Sequence, residues 1–362
     1  IDAVQEMRVS KTVVVIGHGA EQVERALSHR DVQFVLQREQ LGTGHAVMQS
    51  AAALPDEGNV LLLCGDTPLI TRETLEELVR FHEEGNYQMT VLTAEMENPA
   101  GYGRIVRDKR GNVEKIVEHK DADEEQRAIR EINSGMYCCD AKLLKEAVAG
   151  LNNNNQQKEY YLTDVVEILK QKGYRIGAYT VADETEIMGI NSRAQLAEAE
   201  AVMRRRIIEK WMDMGVTFID PQNTYIDKDV KIGNDTIIYP GVILKGKTEI
   251  GEDCIIGHNC RIEDSRIADK VEIQSSTILQ SFVGEGCHIG PYAYLRPNSK
   301  LGKNIKIGDF VEVKNSSIGD GSKASHLAYI GDAEVGKNVN IGCGVVFVNY
   351  DGKNKHRTVV ED

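Results

Sequence analysis

Apolar positions follow two different rules along this chain, and the change comes at Gly215. Before it, short aliphatic runs alternate with helix-spaced stretches. Residues 12–16, 34–37 and 60–64 read as buried strands, while 20–27, 71–84 and 162–172 repeat apolar side chains at helical intervals. Continuous apolar strands separated by helices predict a mostly parallel α/β sheet. Ligands of such sheets sit at the carboxyl ends of strands, which is where Gly65-Asp66 falls. Residues 87–95 and 103–118 read as further strands, the second broken by a turn at 108–111, and 152–155 as a polar loop.

From 192 to 214 the chain is rich in Ala, Glu and Arg. Leu196, Met203, Ile207, Trp211 and Met214 recur at helical spacing, which predicts one long amphipathic arm between two domains. After Gly215 an aliphatic residue returns every six positions, at Ile232, Ile238, Leu244, Ile250, Ile256 and Ile262. A few shorter steps follow, and the register resumes from Val283 to Val313 and runs on through Ile318, Ala324, Ile330 and Val335 to Ile341. A helix of period 3.6 cannot keep one face buried at that repeat. A β-solenoid can, because each aliphatic side chain stacks on the one a coil away. Gly often follows the repeated aliphatic residue, as at Gly233, Gly251, Gly284 and Gly302, and is expected to let the chain turn sharply.

A length of 362 residues suits two domains, and 27% charged residues suit an ordinary globular protein. The net charge of −13 argues against a nucleic-acid or anionic-membrane surface. It leaves phosphorylated small molecules open, since a few local cations and backbone N–H groups can hold them. Seven cysteines with no C-x-x-C pair fit reduced, buried thiols in a cytoplasmic protein. No apolar run reaches the roughly 18 residues of a membrane span. Ile1-Asp2-Ala3-Val4 reads as the middle of a helix and the last residues stop inside a patterned region, so both ends are expected to be cut.

Motifs in both halves carry a more specific signal. In order they are Gln37 to Ala46 (Q-R-E-Q-L-G-T-G-H-A), Leu63 to Leu69 (L-C-G-D-T-P-L), Gly101 to Ile105 (G-Y-G-R-I), Glu118 to Ala122 (E-H-K-D-A), Glu131 to Gly135 (E-I-N-S-G) and Gly189 to Arg193 (G-I-N-S-R). The second half adds Leu295-Arg296-Pro297, Phe310 to Lys314 (F-V-E-V-K), Ser325 to Asp332 (S-H-L-A-Y-I-G-D) and Asn349 to Lys355 (N-Y-D-G-K-N-K). Together they resemble the bifunctional N-acetylglucosamine-1-phosphate uridylyltransferase/glucosamine-1-phosphate N-acetyltransferase family. The resemblance implies a Rossmann-like nucleotidyltransferase domain at 1–191, a helical arm at 192–215, and a left-handed parallel β-helix of hexapeptide repeats at 216–362. Two departures stand out. The family's opening Gly-rich loop, L-A-A-G-x-G-T-R-M, is not in this chain, and neither are its last coils.

The same resemblance implies the chemistry. Glucosamine-1-phosphate is acetylated from acetyl-CoA, and the product then receives a uridylyl group from UTP with Mg²⁺, supplying peptidoglycan and other envelope precursors. Uridylyl transfer brings a phosphate to an anionic phosphorus, so charge neutralisation is the main task. By family analogy Asp66 and Asn191 hold the metal, Gln37, Gly42 and Thr43 read the uridine, and Gly103, Glu118 and Asn133 hold the sugar. Taken alone, Asp66 reads as a helix cap or turn former. For acetyl transfer, His326 is the expected base. Arg296, Lys314 and Lys355 would take the phosphate. Tyr329, Asn340, Asn349 and Tyr350 would contact sugar, phosphate or thioester, with Cys343 packing nearby. A homotrimer with active sites between subunits is implied. Two rivals remain open: another sugar-1-phosphate nucleotidylyltransferase with a β-helix tail, and a non-catalytic trimeric scaffold.

Overall fold

The computed structural model describes residues 1–362, which divide into two compact units, Ile1–Ala199 and Glu200–Asp362. In the first unit a parallel pair, β1 (Val13–Ile16) and β2 (Gln33–Leu36), stands apart from a six-stranded sheet. That sheet contains β3 (Asn59–Leu62), β4 (Met89–Glu95), β5 (Gly103–Arg107), β6 (Val113–Val117), β7 (Glu131–Asp140) and β8 (Ile176–Thr180), in the order β6-β5-β7-β4-β8 with β3 also on β7. Strands β3, β4, β5 and β8 point one way, in keeping with the expected parallel sheet. However, β7 runs against β3, β4 and β5, so the only parallel hydrogen-bonded pair in this sheet is β4 with β8. Helices α1 (Asp2–Glu6), α2 (Ala20–Ala26), α3 (Thr43–Ser50), α4 (Arg72–Glu84), α5 (Glu124–Arg127), α6 (Ala141–Val148) and α7 (Asp164–Gln171) fill the connections.

Local sequence sets the helix starts. Thr71 accepts the Thr74 N–H at the head of α4, and Asp140 accepts the Leu143 N–H where β7 turns into α6. Asp123 and Gln126 form a capping box on α5.

The middle of β7 is irregular, and this shapes the unit's candidate site. Val91 faces Tyr137 and Thr93 faces Asn133, so Leu92 of β4 is spanned by residues 134–136 of β7. The bulged residues satisfy their own backbone: Ser134 Oγ donates to the Leu92 carbonyl at 2.7 Å, and Asn133 Oδ1 accepts the Gly135 N–H at 3.0 Å. Gly135 has φ of 78°, and a Cβ there would lie 2.9 Å from Cys64 Sγ. The bulge opens β7 between its pairing with β3 and its pairing with β5, as bulges beside functional sites do.

Helix α8 (Arg193–Asp213) contains the boundary between the units. Its last turns bury Ile208 and Trp211 against the core of the second unit. That unit is a left-handed parallel β-helix. Its inward aliphatic residues form ladders along the coils. One runs Ile232, Ile250, Ile267, Val283, Leu301, Ile318, Val335; another Ile238, Ile256, Ile273, Ile289, Ile307, Ala324, Ile341; a third Ile226, Leu244, Ile262, Ile278, Leu295, Val313, Ile330. Each ladder is one face, so the six-residue repeat becomes a three-sided coil.

The glycines have a different cause from the one expected. Of the glycines that follow the repeated aliphatic residue, Gly290 does turn in the left-handed region, but elsewhere that backbone is carried largely by Asp and Asn, such as Asp253, Asn259, Asn304 and Asn338, and by other glycines such as Gly241 and Gly286. Gly233 and Gly284 instead permit close stacking of coils: a Cβ on Gly233 would lie 2.6 Å from the Gly251 carbonyl carbon, and one on Gly284 2.3 Å from the Gly302 oxygen.

Candidate functional site

In the first unit, the end of β3 leads Cys64, Gly65 and Asp66 into the opening beside the β7 bulge. Cys64 Sγ donates to the Gly135 carbonyl, and Thr67 Oγ1 donates to the Cys64 carbonyl at 3.0 Å. Burial, with the charge of Asp66, pushes the Cys64 thiol up to about 11, so it stays protonated. The Asp66 carbonyl accepts the Ile190 N–H at 2.9 Å, which brings the 189–191 segment alongside. A Cβ on Gly189 would lie 3.6 Å from Asp66 Oδ2 and 3.8 Å from Asn191 Nδ2, so the two exposed side chains share the space above that glycine. One carboxylate and one amide with open room suit a hard cation that keeps part of its shell for water and phosphate. Asp66 does not cap a helix here; Thr71 does that for α4.

Gly103, Asn133 and Glu118 gather nearby. Gly103 pairs with Asn133 across β5 and β7, and a Cβ on it would meet Ile116 Cγ2 at 3.2 Å. Asn133 is buried, with Nδ2 donating to Tyr137 Oη at 2.9 Å. Glu118 accepts from Thr163 Oγ1 at 3.2 Å, yet burial holds its carboxyl above the ordinary glutamate range, with Asp121, Asp164 and Glu159 pushing the same way. A raised folded-state value means this carboxyl favours the fold at acid pH. That contribution disappears as pH climbs through the raised value, and at neutral pH the charge costs stability. Glu118→Gln keeps an acceptor for Thr163, so the variant is expected to unfold at higher temperature than the parent at neutral pH, with the gap closing at acid pH. Calorimetry at the two pH values checks this, and a variant that is less stable at neutral pH would contradict it.

Gln37 and Gly42 lie in the loop that leads into α3, which Thr43 opens, and the side chains of Gln37 and Thr43 are engaged in contacts within the fold. Gln37 Nε2 donates to the Gly42 carbonyl at 3.2 Å and lies 3.1 Å from His45 Nδ1. Thr43 Oγ1 accepts the Leu162 N–H. Gly42 has φ of 107°, and a Cβ there would sit 2.7 Å from the Tyr160 carbonyl oxygen, a position only glycine fills without strain.

In the β-helix, the strands Lys306–Lys314 and Lys323–Gly331 pair in register around a corner. The pairing places His326 beside Asp309 and Tyr329 beside Glu312. Arg296 Nη1 donates to Glu312 Oε1 at 2.8 Å. Asp332, buried one residue past the second strand, accepts from the amides of both Asn315 and Asn349. The Asn315 hydrogen bond, above all, holds the Asp332 carboxyl below its usual range, with Asn349, Lys314 and Lys355 adding to this. Asn349 Nδ2 also lies 3.3 Å from Tyr329 Oη. Phe347 takes the buried inward place, and an excursion follows that carries Asn349, Tyr350 and Lys355 before the chain rejoins the coil at Thr358–Val360. Within it Tyr350 bridges to Lys355.

Lys314, Asn349 and Lys355 therefore gather around Asp332, with Tyr329 reaching Asn349 and Arg296 held by Glu312 on the coil beside Tyr329. Cys343, expected as a packing residue, is instead exposed in a turn whose next residue donates to the Leu327 carbonyl at 2.8 Å, beside His326. Asn340 pairs with Lys323, three residues before His326. Asp332, Asp309 and Glu312 received no role from the sequence. The signal that could have found them is the coil step of 17, which separates Asn315 from Asp332, Asp332 from Asn349, and Asp309 from His326.

Comparison with known proteins agrees with both halves. The nucleotidyl transferase family model matches residues 3–219. The GMPPB C-terminal domain matches 219–296, and the bacterial transferase hexapeptide (six repeats) matches 280–315. Proteins called bifunctional protein GlmU are similar along the whole chain: 59% identical in Alkaliphilus metalliredigens, 62% in Alkaliphilus oremlandii and 58% in Clostridioides difficile, each match covering 100% of this chain and 79% of the relative. With a nucleotidyl transferase region, a hexapeptide β-helix and relatives this similar across every residue, the chain belongs to the bifunctional GlmU family, which joins a uridylyltransferase to an acetyltransferase.

Proposed function

We propose that residues 1–191 serve uridylyl transfer and residues 216–362 acetyl transfer, with 192–215 as the arm between them. The observation that most supports this reading is the register of Lys306–Lys314 on Lys323–Gly331, which sets His326 on the strand that leads into Asp332 and its neighbours Asn349, Lys314 and Lys355.

In the acetyl-transfer site, Arg296, Lys314 and Lys355 hold the phosphate of glucosamine-1-phosphate, while Tyr329, Asn340 and Asn349 orient the sugar. His326 removes a proton from the amine as it attacks the thioester carbonyl of acetyl-CoA; the carbon–sulfur bond then breaks, and CoA leaves as the thiol by taking up the proton that His326 carries, which restores the neutral base. Tyr350 and Cys343 border the thioester. In the uridylyl site, Asp66 and Asn191 hold Mg²⁺, which neutralises charge on UTP when bound. Gly103, Glu118 and Asn133 position N-acetylglucosamine-1-phosphate, whose phosphate oxygen displaces pyrophosphate from the α-phosphorus. The Gln37–Thr43 segment, held by the Gln37 amide on the Gly42 carbonyl and by the Leu162 N–H on Thr43 Oγ1, presents its backbone to uridine. A cytoplasmic homotrimer through the β-helix completes the reading. It is supported by the seven free cysteines and by the exposed Tyr292, Phe310 and Leu327, which line the corner beside His326.

Assaying each half-reaction on the full-length protein, with and without a chelator, tests the proposal. Uridylyl transfer is expected to stop on metal removal and acetyl transfer to continue. Acetyl transfer that also stops, or uridylyl transfer that persists, would break the assignment.

A further inference from the structure

We infer that Asp309 is a positioning residue for acetyl transfer, setting which ring nitrogen of His326 carries the proton. The inference rests on the reading of His326 as the base, and it is drawn from the coil next to that histidine.

Asp309 and His326 are register partners on adjacent coils, with Asp309 Oδ1 3.3 Å from His326 Nδ1. The backbone on both sides of this pair is constrained. Phe310 and Leu327, the next residues on each coil, both turn the corner in the left-handed region, with φ of 58° and 38°. The Leu327 carbonyl is tied to the following coil by the Gly344 N–H. On the other side, Gly308 packs so closely that a Cβ on it would lie 1.9 Å from the Ser325 carbonyl oxygen. Two coils pressed together at Gly308, each turning immediately after the pair, fix the backbone positions from which the carboxylate and imidazole project side by side.

The chemistry follows from the inventory of donors and acceptors. A neutral imidazole has one N–H and one lone pair, and a carboxylate only accepts. A carboxylate at Nδ1 therefore selects the tautomer with the proton on Nδ1 and leaves the Nε2 lone pair for the substrate amine. When Nε2 takes the amine proton, the imidazolium keeps its Nδ1–H on Asp309, whose charge stabilises it; Asp309 itself stays ionised. A contact of 3.3 Å is long for a strong hydrogen bond. Such contacts often tighten only once substrate is bound.

The test uses full-length protein carrying ¹⁵N-labelled histidine, with the His326 ring signals identified by their loss in His326→Ala. Asp309→Ala is expected to lower kcat for acetyl transfer by about 10–100-fold, with KM for both substrates nearly unchanged. The neutral His326 ring should move from the Nδ1–H form towards the Nε2–H form. Asp309→Asn, whose amide oxygen still accepts from Nδ1, should recover most of the lost kcat. Asp309→Ser, too short to reach the ring, replaces the alanine variant should that fail to fold, with the same expectation. An unchanged tautomer, an unchanged kcat, or a loss confined to KM overturns the inference. If His326→Ala itself keeps acetyl transfer, the base assignment falls and takes this inference with it. If His326→Ala is inactive and Asp309→Ala is fully active, the inference alone falls.

Discussion

Replacing His326 by alanine in the full-length protein is expected to cut acetylation of glucosamine-1-phosphate by about 10²–10⁴-fold, the range a positioned general base contributes, and to leave uridylyl transfer at the parent rate. The expectation does not depend on a loss of fold. His326 points outward from the strand Lys323–Gly331 with 63% of its side chain exposed, while the inward places on that strand belong to Ala324, Ala328 and Ile330. Removing the ring deletes no core contact and leaves the Asp309–His326 backbone pairing in place. The cluster around Asp332 is built from Asn315, Asn349, Lys314 and Lys355, none of which leans on the imidazole. Substrate KM should therefore hold while kcat falls, because the lost group acts on the proton and not on the phosphate. Separate assays of the two half-reactions decide the matter. Loss of both activities would refute the division of labour, and undiminished acetylation would remove His326 from the chemistry.

The β-helix could be read from the sequence because its signal is repeated once per side. An inward aliphatic residue every six positions has a single physical meaning when it persists over so many coils, and each of Ile238, Ile256, Ile289 and Ile307 is buried where that period puts it. Nothing comparable marks β7. Its residues 134–136 leave the regular ladder, and the hydrogen bonds that hold the bulge come from Ser134 and Asn133, side chains that in a linear reading are ordinary polar positions. The α/β order was legible from apolar runs, but the reversed direction of β7 was not, since a buried strand looks the same in either direction. The glycines were visible and their cause was not: the approach of Gly233 to Gly251 is a contact between coils, and no property of either tripeptide announces it. Asp332 is similar. It gains meaning only when Asn315 and Asn349 arrive from the coils on either side.

Asp66→Ala is expected to reverse the pattern, lowering Mg²⁺-dependent uridylyl transfer by about 10²–10³-fold while acetylation proceeds. A turn-forming aspartate would give a different result, and the structure separates the two roles. The hydrogen bond that joins this turn to the 189–191 segment uses the Asp66 backbone carbonyl, which alanine retains, and Thr67 Oγ1 anchors the same turn to the Cys64 carbonyl. The carboxylate itself is exposed and directed to the space it shares with Asn191 above Gly189. Its removal should therefore spare stability and weaken cation binding. Titration of Mn²⁺ in the presence of UTP, followed by electron paramagnetic resonance, reads that binding without relying on turnover. Asn191→Ala should weaken binding less, because an amide oxygen carries no net charge to lose. Uridylyl transfer and Mn²⁺ affinity that both survive Asp66→Ala would place the metal elsewhere. A fall in melting temperature together with activity would return Asp66 to the structural role that its position after a strand also allows.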